Sequence, residues 1–197
     1  MALKTLVKVG EITNLSDARY CAGMGVEMLG FNLNQGSDTY VSPEQFKEIT
    51  EWVAGVKFVG EFANATIETI QKSIREYKLD MIQLPFVNAD LIFEVDLPVI
   101  LYGESCDTEE IDLLVDRLGD RITFFLLEGC EDIEQIEHIS ENQPILLGGN
   151  LEADNVDSWI EGTTIKGIAL KGSLEEKPGF KDYDQLADIL EALETDD

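Results

Sequence analysis

Glu11, Glu61, Glu104 and Glu128 each stand at or just after the end of a short apolar run, and Lys171 ends another. Two carboxylates in unlike surroundings can divide proton transfer between them, one as acid and one as base. Glu128 as acid and Glu11 as base is one such division. Gly148-Gly149 and Gly172-Ser173 close two further runs, and their backbone N–H groups, with the charge of Lys171, suit a phosphate. Four glutamates around one mouth could also offer oxygen ligands to Mg²⁺ or Ca²⁺. No histidine or cysteine joins them, which excludes zinc. Side chains turned to solvent, or paired with Lys57 or Lys171, account for them without a metal, so neither metal nor cofactor is expected.

The remaining reactive residue types are few. Cys21, Cys106 and Cys130 are an odd number without a CxxC pair, so neither a disulfide framework nor a thiolate metal site is expected. A reducing cytoplasm fits this usage. Cys130 follows the sixth apolar run, where it could be a nucleophile or base, although an incidental cysteine is the commoner case. His138, the single histidine, lies in a helical pattern and reads as a surface residue.

Holding such groups together requires repeated units, and the chain contains eight. Strands are predicted at 5–13, 27–34, 56–63, 80–86, 98–104, 122–128, 144–149 and 164–171. Each is followed by a segment of helical period. Ser42-Pro43-Glu44-Gln45 is a helix start, with Ser as cap and Pro in the first turn. Ile67, Ile70, Ile74 and Tyr77 recur at spacings of three and four, and Ile111, Leu114, Val115 and Leu118 do the same. A short helix is expected around Ala89–Val95. Trp52 and Trp159 fall on helices and should pack against the strands. Eight strand–helix units predict a parallel eight-stranded (β/α)₈ TIM barrel, one domain over 1–197 with no linker. A doubly wound sheet would carry GxGxxG after its first strand, where Val9-Gly10-Glu11-Ile12 stands. Barrel sites lie at the C-terminal strand ends, which here also supply Gly10, Asn32 and Gln83 as pocket residues.

Composition narrows the function further. The 197 residues carry 14 basic and 40 acidic side chains, a formal charge of −26. That opposes binding to nucleic acid or to anionic membranes, both of which rest on Lys and Arg. No apolar stretch is long enough to span a bilayer, and the first residues lack a signal peptide's apolar run. The expected partner is a small molecule, phosphorylated or not, bound by a monomer or homodimer. Residues 104–143 hold thirteen acids and two bases, a solvated face or else a surface for a basic protein partner.

The ordered motifs resemble phosphoribosylanthranilate isomerase, a small barrel enzyme of tryptophan biosynthesis. Lys8-Val9-Gly10-Glu11-Ile12-Thr13 stands where that family has Lys-Ile-Cys-Gly-Ile-Thr. Leu29-Gly30-Phe31, Tyr40-Val41-Ser42-Pro43-Glu44-Gln45, Val59-Gly60 through Phe62 and Asn64, Gln83-Leu84 and Gly148-Gly149 follow in order. Asn155-Val156 and Pro178-Gly179-Phe180-Lys181-Asp182 complete the series.

The resemblance implies an Amadori rearrangement: an acid opens the ribose ring to a Schiff base, and a base removes the C2 proton. The departures fall on that chemistry. Gly10 replaces the family's cysteine base, Glu128 replaces its aspartate acid, and Gly129-Cys130-Glu131-Asp132 replaces its glycine-rich loop. Thr39 stands for an arginine, Pro85 for a histidine, and Ala169-Leu170-Lys171-Gly172-Ser173 for Asp-Val-Ser-Ser-Gly. The expectation is a diverged relative that has lost the reaction and keeps a pocket for a small molecule, with or without a phosphate. The alternatives are an active isomerase with Glu128 as acid and a substitute base such as Glu11, and an acidic protein-interaction scaffold. Adjacent strand residues face opposite ways, so Glu11 is expected to face away from the site unless the strand ends before it.

Overall fold

The computed structural model describes residues 2–130, 132–172, 175–177, 180–181 and 184–195. Eight parallel strands close into a barrel in chain order, β1 pairing with both β2 and β8. They are β1 Leu6–Gly10, β2 Met28–Asn32, β3 Lys57–Glu61, β4 Met81–Pro85, β5 Val99–Gly103, β6 Ile122–Leu127, β7 Ile145–Leu147 and β8 Gly167–Lys171. The helices are α1 Leu15–Gly23, α2 Pro43–Thr50, α3 Ile67–Glu76, α4 Thr108–Leu118, α5 Ile133–Asn142, α6 Val156–Glu161 and α7 Asp184–Ala192. A two-stranded antiparallel ribbon, β9 Glu175–Lys177 and β10 Phe180–Lys181, intervenes between β8 and α7. The TIM-barrel expectation therefore holds.

Local chemistry explains where the helices begin. Asn14, Ser42, Thr66, Asp107 and Asp132 each precede a helix and accept a hydrogen bond from a backbone N–H two or three residues on. The fourth unit differs: Phe86–Glu94 is a 3₁₀ helix, and its preceding residue, Pro85, provides no capping bond. The expected helix around Ala89–Val95 is thus earlier and tighter. A 3₁₀ turn rises about 2.0 Å per residue, so nine residues return the chain over about 18 Å.

The apolar residues form two layers. One lies between strands and helices, where Phe31, Phe46, Phe58 and Tyr77 meet edge to face at centroid distances of 4.9–6.1 Å. The other fills the barrel: Met28, Val59, Met81, Ile100, Leu126, Leu146 and Ala169 pack together as a buried plug. Trp159 packs on the outer layer, whereas Trp52 is 72% exposed. That corrects the expectation for Trp52, whose helix ends at Thr50 and leaves it on the following turn.

The barrel closes where β8 meets β1. A Cβ on Gly167 would stand 2.2 Å from the Leu6 carbonyl oxygen, whereas one on Gly23 would meet nothing within 4 Å. Gly167→Ala should therefore destabilise by about 1–3 kcal/mol through overpacking at the seam. Gly23→Ala, on a helix, should be neutral or mildly stabilising. Urea unfolding of the two variants checks the contrast.

Candidate active site

Side chains alternate across a strand, so the plug predicts what stands above it. Two positions beyond Val59, Met81, Ile100, Leu126 and Ala169 come Glu61, Gln83, Tyr102, Glu128 and Lys171. All five line one cavity of about 380 Å³ at the C-terminal mouth. Gly10 and Asn32 line it too, as do Lys8 and Glu104. The volume lies within the usual range for small-molecule sites, about 300–1,000 Å³.

The floor on one side is a notch between two glycines. A Cβ on Gly10 would lie 2.6 Å from Glu61 Oε1, and one on Gly30 would lie 2.1 Å from it. The Glu61 carboxylate therefore occupies the space that side chains on β1 and β2 would otherwise take. Lys8 Nζ donates to Glu61 Oε1 at 2.5 Å, and the Glu11 backbone N–H donates to Oε2 at 3.2 Å. Lys8 is 2% exposed and Glu61 9%. Isolated charges at that depth would be costly; matched, they are tolerable.

Glu11 reaches the same cavity by a backbone turn. Strand β1 ends at Gly10, and Glu11 has φ +55°, the only positive value among described residues other than glycine. The strand has ended before Glu11, which is the stated exception to strand parity, and the residue lines the cavity. Burial, and then the nearby charge of Glu61, push the Glu11 carboxyl above its ordinary range.

Three strands further round the ring stands a second cluster. The Tyr102 hydroxyl lies 3.0 Å from Glu128 Oε2 and 3.1 Å from Glu104 Oε1, and Lys171 Nζ donates to Glu128 Oε2 at 3.2 Å. Burial, and then the Glu128 charge, raise the Tyr102 phenol well above its usual range, so it stays a protonated donor. Among the described acids of 104–143, Glu128 alone is not solvent-exposed. Gln83 Oε1 is buried and accepts no hydrogen bond from the described residues. Asn32 is spent on the loop after β2, bonding Ser37, Thr39 and Asn34.

The glycines of the phosphate expectation have other partners. Gly148 N–H donates to the Leu127 carbonyl and Gly172 N–H to the Gly10 carbonyl, both at 2.8 Å. Gly149 adopts φ +98° beside Gly129. Ser173 lies outside the described residues.

Cys106 and Cys130 form a disulfide, with Cα atoms 5.6 Å apart. This corrects the reading that set disulfides aside and removes Cys130 as a thiol nucleophile. Neighbouring β5 and β6 bring their following loops together, a proximity that residue spacing does not display. His138 is exposed. Among the described residues no group of three or more His, Cys, Asp or Glu could hold a metal ion, and no helix is long and apolar enough to cross a membrane.

Lys8 lines the cavity although nothing in the sequence singles it out, and Glu61 stands in the sequence only as one member of a glutamate ring. The usable signal was its position two residues beyond Val59 on a strand, combined with glycines at 10 and 30 that leave it room.

Comparison with known proteins gives one consistent result. Residues 7–95 and 130–192 match the family model described as N-(5'-phosphoribosyl)anthranilate (PRA) isomerase. The unmatched stretch, 96–129, contains Tyr102, Glu104 and Glu128. The chain is 28% identical to N-(5'-phosphoribosyl)anthranilate isomerase of Syntrophus aciditrophicus, over 96% of this chain and 87% of that one. It is 29% identical to the enzyme of the same name from Gloeothece citriformis, over 95% and 93%. Among solved structures, one phosphoribosyl anthranilate isomerase is in complex with reduced 1-(o-carboxyphenylamino)-1-deoxyribulose 5-phosphate. It superposes with a TM-score of 0.79 at 25% identity, covering 96% of this chain and 98% of that one. Monomers of the dimeric phosphoribosylanthranilate isomerase from Thermotoga maritima give a TM-score of 0.77 at 25% identity, with the same coverage.

Two predictions follow from the charges. Lys8→Met leaves the Glu61 carboxylate buried without its partner, so it should destabilise by about 3–5 kcal/mol. Adding Glu61→Gln should restore part of that loss in a double-mutant cycle followed by urea unfolding. For Glu11, the raised carboxyl means that the folded state holds its proton more tightly than the unfolded state. Stability then falls as pH rises from the unfolded value, about 4.3, through the raised folded value. Glu11→Gln should therefore be more stable than the parent at pH 7, with the advantage vanishing below about pH 4. Thermal unfolding across pH reads this directly.

Proposed function

We propose a function from one premise: the chain belongs to the N-(5'-phosphoribosyl)anthranilate isomerase family, matching its model over most of its length. The proposed activity is the aldose–ketose rearrangement of N-(5'-phosphoribosyl)anthranilate. Glu128 is the acid that protonates the ribose ring oxygen, and a carboxylate on the β1–β3 side is the base. One observation carries this reading. Acidic groups from β6 and from β1–β3 face a single cavity across the barrel mouth, each held by its own cation, Lys171 and Lys8.

The surroundings of Glu128 orient it. Tyr102 fixes one oxygen by a hydrogen bond, and Lys171 touches that same oxygen, so the other is unconstrained by these two groups and can reach a substrate. An ammonium has three donors, so Lys171 can hold Glu128 and still meet a phosphate at the ends of β7 and β8. Gly149 lies at the same end.

The expectation of lost activity rested on Gly10 and on the replaced loop after β6. The first ground weakens, because the space beside Gly10 contains a carboxylate. The second favours a protein that binds the phosphorylated ligand without turning it over, and the assay separates the two. Purified protein should convert freshly generated N-(5'-phosphoribosyl)anthranilate, and Glu128→Gln should lower kcat by roughly 10²–10⁴-fold. Absence of turnover in the parent, at any pH from 6 to 9, would sink the isomerase reading.

A further inference from the structure

We propose that Glu61 is the general base of this site, reaching from β3 into the notch that Gly10 and Gly30 leave open. The assignment rests on the isomerase reading above and names the residue that reading leaves unspecified. Three observations carry it. The Glu61 carboxylate lies within 2.6 Å of where a Cβ on Gly10 would be, so it presents its oxygens where a side chain on the last residue of β1 would act. It lines the same cavity as Glu128, from a strand three places round the ring. Its orientation is set from both ends: Lys8 holds Oε1, and the Glu11 N–H holds Oε2.

Each carboxylate oxygen can accept more than one hydrogen bond, so these contacts orient the group without closing it to a reacting C–H. Glu11 is the rival. Its backbone turn places it at the cavity, but among the described residues its side chain makes no hydrogen bond that would fix its direction, and its backbone N–H serves Glu61. A base must be aimed before its basicity matters.

The step balances without a co-reactant. After ring opening, the C2–H bond of the open-chain iminium breaks and its proton passes to a Glu61 oxygen. The bonding pair becomes the C1=C2 double bond, and the C1=N pair moves onto nitrogen and neutralises it. Ketonisation of the enolamine then places a proton on C1, which Glu61 can return, and releases one from the 2-hydroxyl to water. Lys8 touches no reacting atom in this scheme and is a positioning residue.

The test pairs kinetics with a stability coupling. Glu61→Gln keeps the shape and one acceptor for Lys8. It should lower kcat on N-(5'-phosphoribosyl)anthranilate by at least about 100-fold while KM moves less than about threefold. Gly10→Cys combined with Glu61→Ala moves a titratable group into the same space from β1. It should recover much of the lost activity, with the basic limb of the pH profile moved toward the thiol range, near pH 8.5. In parallel, Gly10→Ala should lower the thermal midpoint of the parent and do so much less in the Glu61→Ala background. If Glu61→Gln keeps kcat within about threefold of an active parent, the base assignment is overturned and the isomerase reading survives. An inactive parent overturns both. Equal Gly10→Ala penalties in the two backgrounds would show that the carboxylate does not fill the notch and would overturn the placement itself.

Discussion

The buried pair between Lys8 and Glu61 constrains everything around it. A carboxylate and an ammonium both nearly closed to water need each other, because removing either leaves an unmatched charge in a poorly solvated place. Lys8 must stay inward on β1, which its parity with Gly10 secures. Glu61 must cross the floor above Val59 and Met28, which only side-chain-free positions at 10 and 30 permit. The second carboxylate oxygen needs a donor, and the end of β1 supplies it by turning Glu11 to φ +55°. One ion pair thus explains two glycines, a strand terminus and a backbone conformation that residues with side chains rarely adopt.

The fold was legible because eight apolar runs alternated with helical periods, and a barrel buries such strands on both faces. Boundaries were less so. The first strand was read to Thr13, yet it stops at Gly10, because the apolar Ile12 continues the pattern after the backbone has turned away. The strand-end rule places Glu128, Lys171, Gln83 and Asn32 at the cavity, since each side chain stands close to its own backbone. It undervalues Glu61, whose position depends on emptiness at two other strands. It also missed the Cys106–Cys130 disulfide, which exists because β5 and β6 are neighbours and their loops emerge side by side.

The overall charge of −26 looks hostile to a phosphorylated ligand, but location matters more than the sum. The described acids of 104–143 apart from Glu128 are exposed, and exposed charge is screened beyond about 8 Å at physiological salt. Within the mouth, Lys8 and Lys171 each face one carboxylate at contact distance. The acidic face therefore bears on solubility and on encounter rate, and the local pairs set the charge inside the mouth.

A barrel fixes a place more firmly than it fixes the residue that fills it. The space above the plug at β1–β3 can be reached by a side chain rooted on β1 or by a longer one leaning in from β3. The second route crosses β2, which stands between β1 and β3 and has no side chain at Gly30 to block it. Losing a side chain at position 10 is then not equivalent to emptying the space beside it. Lys8, Gly10, Gly30 and Glu61 together put a matched charge and an aimed oxygen at that point with no reactive side chain at position 10.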